Sequence, residues 1–186
     1  MLLLTAACIS PTGVEGEPGP EGPQGDQGDR GERGDVGPTG TTGQDVIEVY
    51  GTGQLTVTSA FTSFTVIPGL STQITVPDDA RVTLSTNGGI QCTAAGAAYA
   101  VVDIALFVDG VASNQGGTRR VVAANTTTVG QMVTNWSFSR TYSLAAGTHT
   151  VEVRAISVDP TAAAANVSSA LAPQLQGVLT ATIVRR

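Results

Sequence analysis

From Val46 onward, apolar and polar positions alternate in short runs. The runs VIEVY, QLTVTS, FTSFTVI, TQITV, RVTLST, YAVVDIALFV, TRRVVAA, QMVTNWSFSRTYSL, THTVEVRAIS and GVLTATIV are rich in β-branched residues and broken by turn residues. A two-residue period places successive side chains on opposite faces of a strand. In GTHTVEVRA, Val151, Val153 and Ala155 share one face, and Glu152 and Arg154 share the other. No long stretch carries a helical period. About ten short strands with frequent turns predict an all-β fold, a jelly-roll-like β-sandwich. Asp109–Gly110, between IALFV and VAS, is the strongest short hairpin signal in the chain. DPTAAAANVSSALAPQ breaks the alternation and is read as a long loop.

Two strands carry further expectations. In QMVTNWSFSRTYSL, Met132, Trp136, Phe138 and Tyr142 fall on one face, with Arg140 among them. That face is expected to pack in the core, and Arg140 then needs a carboxylate or an aromatic ring as partner. In VVDIALFVDG, Val102, Ile104, Leu106 and Val108 form one apolar face. The opposite face, Val101, Asp103, Ala105 and Phe107, is more apolar than a solvent face should be. A neighbouring subunit is the expected cover.

Ahead of the strands the pattern changes completely. Glycine occupies every third position from Gly13 to Gly43, eleven in register, and Gln44–Asp45 completes the last triplet. Three polyproline-type strands wound about one axis require this lattice, because only a hydrogen side chain fits at the axis. A flexible Gly-rich linker needs no strict period. The expected organisation is an N-terminal segment 1–12, a triple-helical stalk 13–45 and a β-sandwich head 46–186. Prolines 18, 20, 23 and 38 leave the stalk poor in proline. Arg30 before Glu32 and Arg33 before Asp35 offer exposed interchain pairs, each contributing roughly 0–1 kcal/mol.

Charge follows the same division. The formal net charge is −6, and the chain contains no lysine. Residues 13–45 hold eight acids and two arginines; residues 46–186 hold seven of each. An acidic stalk and a neutral head lack the basic stripe that nucleic-acid binding requires. Aromatic residues make up only 4% of the chain, so the core must be aliphatic.

The start, MLLLTAACIS, is apolar and ends in small residues before Cys8. It resembles a bacterial lipoprotein signal, which implies lipid attachment at Cys8; an apolar segment without that role is the alternative. A stalk of about 100 Å separates Cys8 from the head, far beyond disulfide reach. Cys92 is therefore expected to be a free, buried thiol.

Little in the head suggests catalysis. His149 is alone, with no second histidine or cysteine at metal-ligand spacing, and is expected to be structural. No Ser-His-Asp arrangement can be nominated. Asp78–Asp79 reads as a turn with solvated carboxylates rather than a calcium site. No Gly-rich phosphate loop opens a helix. Asn125, Asn135 and Asn166 head Asn-X-Ser/Thr triplets, which matter only in a eukaryotic secretory pathway. No cofactor, metal ion or catalytic residue is expected.

The glycine lattice resembles collagen over residues 13–45. With the β head behind it, the architecture resembles collagen-stalked proteins with complement-type or tumour-necrosis-factor-like trimeric heads. Bacterial collagen-like surface proteins and phage-fibre-type heads are the nearest resemblance, through AAGTHTVEVRA and LQGVLTATIV. The resemblance implies a homotrimer displayed at the cell surface, extracellular and held to the membrane only through a lipid on Cys8. It implies a non-enzymatic structural or adhesive role, with an unnamed surface, matrix or glycan ligand. The alternative is a soluble complement-like or lectin-like recognition protein without the anchor. Arg33–Gly34–Asp35 resembles the integrin-binding tripeptide, and it is equally a common filling of this lattice.

Overall fold

A computed structural model describes residues 43–185. The stalk apart from its last triplet, Cys8 and the Arg33–Gly34–Asp35 tripeptide lie outside the described residues. Within them the chain forms eleven β-strands and no helix. These are β1 (Gln44–Tyr50), β2 (Leu55–Val57), β3 (Thr65–Val76), β4 (Ala80–Cys92), β5 (Tyr99–Val108), β6 (Val111–Ala112), β7 (Thr118–Ala124), β8 (Val133–Tyr142), β9 (Gly147–Ser157), β10 (Ala165–Val167) and β11 (Val178–Arg185).

The strands form two antiparallel sheets. β4 pairs with β8 from Val82 to Gln91, which occupies one edge of β4. Both β11 and β10 therefore use its other edge, at Ala80–Asn87 and Ile90–Cys92. β1 pairs outside β11, and β2 outside β10. The first sheet thus has four columns: β1 with β2, β11 with β10, β4, and β8. The same argument applies to β5. β9 holds one edge, and β7 and β6 share the other. The second sheet runs β3, β9, β5, then β7 with β6. Numbered along the chain, the columns run 1-8-3-6 and 2-7-4-5, the order of a double-sheet jelly roll.

The inward faces form one aliphatic core. Val82, Leu84 and Ile90 of β4 meet Val102, Ile104 and Leu106 of β5, with Val151, Val153, Leu179 and Ile183 around them. Val151, Val153 and Ala155 are buried as their alternation predicts, while Glu152 and Arg154 pair on the opposite face at 2.5 Å. Cys92 is a buried free thiol. Asp109 and Gly110 form the two-residue β5–β6 turn, with φ of 51° and 77°. Both central residues have positive φ, as a type I′ turn demands.

Four expectations need correction. Gln44 and Asp45, assigned by spacing to the last triplet, pair with Val184 and Ile183 as the start of β1. The TVI that ends FTSFTVI and the run TQITV belong to one strand, β3, whose register shifts between Val66 and Ser71. Gly69 permits that shift: its φ is +86°, and an added Cβ would lie 2.3 Å from the Tyr50 carbonyl oxygen. The long loop contains a short strand, β10, paired to both β4 and β2. Met132 is 43% exposed rather than in the core, because β8 begins at Val133.

The second face of β5 finds its cover within the chain. Phe107 is buried, with the Phe64 ring edge-on at 5.3 Å and the Arg154 guanidinium 4.4 Å from its centroid. Asp103 on the same face binds Arg120 through both carboxylate oxygens, at 2.8 and 3.0 Å.

Candidate functional site

The inward face of β8 carries an arginine where alternation calls for an apolar residue. Trp136 is 2% exposed, and its Nε1–H donates to Thr86 Oγ1 at 3.1 Å. Its indole lies against Gly88, where an added Cβ would come within 2.4 Å of the ring. Phe138 follows, buried, with the Arg119 guanidinium 5.7 Å from its centroid. Arg140 comes next, opposite Leu84, and stacks 5.0 Å from the Tyr142 centroid. Of the two partners expected for Arg140, the fold supplies the ring and not the carboxylate. Its Nη1 is buried with no hydrogen-bond partner, and it joins no ion pair among the described residues. A buried donor left unpaired costs about 1–3 kcal/mol, more when charged.

Arg140 borders a cleft of about 500 Å³. One side is the end of β8, with Arg140, Tyr142 and Leu144. The other is the β5–β6 hairpin and the loop after it, including Val108, Ser113, Asn114 and Gln115. Two fastenings shape the loop. Ser113 N–H donates to the Leu106 carbonyl at 3.0 Å, and Leu106 N–H donates to the Gly117 carbonyl at 2.8 Å. The Ser113 and Tyr142 hydroxyls are hydrogen-bonded to each other and close the gap between the sheets. Burial holds the Tyr142 phenol above its usual pKa, against the opposing pull of Ser113 and Arg140. The phenol is therefore neutral at ordinary pH, and among the described residues no carboxylate lines the cleft.

The hairpin wall is anchored from behind by His149. Its Nδ1 lies 2.7 Å from Asp109 Oδ2, and its Nε2 lies 2.9 Å from the Ala145 carbonyl oxygen. Thr150 N–H donates to Asp109 Oδ1 at 2.8 Å. Two acceptors face the two ring nitrogens, an arrangement that the doubly protonated ring satisfies in full. The Asp109 bond, then the Ala145 bond, raise the His149 pKa. The His149 bond, then the Thr150 amide, lower that of Asp109. His149 thus ties β9 and the Ala145 carbonyl to the β5–β6 turn. Its pairing also keeps the Asp109 carboxylate occupied beside the cleft.

A second hollow of about 290 Å³ lies beside Trp136, with Asn87, Asn135, Ser137, Gln174 and Gln176 on its walls. It is polar and uncharged. Asn125 is unsuited to carry a glycan: it is 6% exposed, and its Nδ2 donates to the carbonyls of Cys92 and Ala94. Asp78 and Asp79 form the β3–β4 turn, Asp79 with φ of 59°. Among the described residues no three His, Cys, Asp or Glu side chains gather as metal ligands. The alternation in β8 pointed to Arg140, whereas Ser113, Asn114 and Gln115 gave no signal, since loop residues carry no period.

No family model matches the chain, and no curated protein matches it. Solved structures share broad likeness at low identity. One is dimeric latent PorU from Porphyromonas gingivalis, with TM-score 0.39 and 9% identity over 77% of this chain and 13% of that one. Another is the infectious bursal disease virus Gt strain, with TM-score 0.37 and 13% identity over 76% and 38%. A third is carbohydrate-binding module CBM36 in complex with calcium and xylotriose, with TM-score 0.31 and 13% identity over 75% and 97%. The chain therefore spans well under half the length of the first two.

Proposed function

We propose that this protein is a non-enzymatic, surface-displayed binding protein. It acts as a homotrimer whose collagen-like stalk projects three β-sandwich heads for multivalent contact. The observation that carries this reading is the unbroken glycine lattice from Gly13 to Gly43, directly followed by the first strand of the head at Gln44. A strict Gly-X-Y period is a three-chain requirement, so it supports a partner of the same sequence. Three heads on one stalk turn a weak single-site contact into a stronger combined one. A cleft that joins an unpaired cation to neutral hydroxyl and amide groups suits recognition of a ligand. A lipid on Cys8 supplies the anchor to the cell surface.

The test is a substitution at the stalk axis. Gly31→Ala places a methyl group where three strands meet, which locally disrupts a triple helix. Circular dichroism of the intact protein should lose its polyproline-type signal at lower temperature, while Trp136 fluorescence still reports a folded head. An unchanged polyproline-type signal and melt would refute the triple-helical stalk.

A further inference from the structure

We propose that the Arg140 cleft is a carboxylate-recognition site and that its ligand is an acidic sugar unit, a uronic acid in chemical class. This names the ligand of the head and so rests on reading the head as a binding module. Tyr142 stacks near the Arg140 guanidinium with a centroid distance of 5.0 Å. Stacking satisfies a face of the guanidinium but none of its in-plane N–H donors, which need acceptors in its own plane. Among the described residues no carboxylate reaches those donors, and Nη1 has no partner. The nearest acid along the hairpin, Asp109, is already held by His149 and Thr150. A ligand carboxylate matches the guanidinium fork in shape and charge.

The remaining lining selects among carboxylates. Ser113, Asn114 and Gln115 offer hydroxyl and amide groups that both donate and accept, as sugar hydroxyls require. Val108 and Leu144 offer apolar surface to a sugar's C–H face. A volume of about 500 Å³ lies within the usual range for small-ligand pockets. The hollow beside Trp136 has comparable amides and no cation, so it serves as an internal contrast.

The experiment is an NMR titration of the intact protein, following the backbone amide resonances of Ser113 and Gln115 in the cleft wall, with glucuronate, methyl glucoside and acetate as probes. Wild type should bind glucuronate at least tenfold more tightly than methyl glucoside. Arg140→Met should lose that preference, Arg140→Lys should retain a fraction of it, and Arg119→Met, outside the cleft, should retain it all. Asn114→Ala should weaken glucuronate several-fold and leave acetate unchanged, which also carries the test if Arg140→Met does not fold. Equal binding of glucuronate and methyl glucoside, or an Arg140→Met variant that titrates like wild type, would overturn the site. Acetate binding as tightly as glucuronate would overturn the sugar assignment. A monomer that still binds glucuronate through Arg140 would refute the trimeric display and keep the cleft; a trimer indifferent to glucuronate would do the reverse.

Discussion

The His149–Asp109 clasp gives the head a stability that depends on pH with a defined shape. Both imidazole nitrogens face acceptors, at 2.7 and 2.9 Å, so folding favours the protonated ring. The raised His149 pKa stabilises the fold fully below the ordinary histidine value near 6.5. That contribution disappears as pH rises through the raised folded value. Asp109, with its pKa lowered, contributes above the ordinary carboxylate value near 3.9. Its contribution is lost as pH falls through the lowered folded value. The clasp is therefore strongest between about pH 4 and 6.5. The Asp109 side chain is 50% exposed and that of His149 is 15% exposed, so solvent screening limits the pair to about 1 kcal/mol or less. For a head of this size, that corresponds to about 2–4 °C in melting temperature. Asp109→Asn isolates the effect. Asn tolerates the positive φ of 51° and can still accept from Thr150 N–H, but carries no charge. Melting curves from pH 5 to 9, read from buried Trp136, should show wild type losing stability above pH 6.5 and the variant losing less. Parallel wild-type and variant curves would refute the clasp, as would a His149 NMR titration at the ordinary value.

Two other substitutions test the core around β4. Gly88→Val would drive a side chain into the Trp136 indole; the head should lose about 1–3 kcal/mol, with red-shifted tryptophan emission as the Thr86 bond breaks. Asn125→Ala would remove bonds to the Cys92 and Ala94 carbonyls and to Met132 N–H. Chemical denaturation should show a loss of about 1–3 kcal/mol.

Much of the head was legible because its sheets are half-buried, and alternation then records which face meets the core. Val151, Val153 and Ala155 show this directly, as does the Asp109–Gly110 turn between β5 and β6. β10 escaped because Ala165, Asn166 and Val167 form a strand too short to alternate, and its alanine and asparagine are weak strand formers. Met132 has the parity of a core residue, but parity does not say where a strand begins. The second face of β5 was legible as covered, while its cover, Phe64 and Arg154, comes from distant parts of the chain. Arg140 stood out as a charge within an aromatic stripe. The loop that completes its cleft did not, since Ser113, Asn114 and Gln115 are fixed by hydrogen bonds and tertiary position rather than by periodicity.

The proposed trimer depends on the glycine lattice binding three chains into one molecule. Light-scattering mass of the intact protein in solution tests it most directly. A stalked trimer should give three times the chain mass, falling together with the polyproline-type dichroism on heating. A single-chain mass with no cooperative loss of that signal would contradict the trimer, and with it the projection of three heads on one stalk.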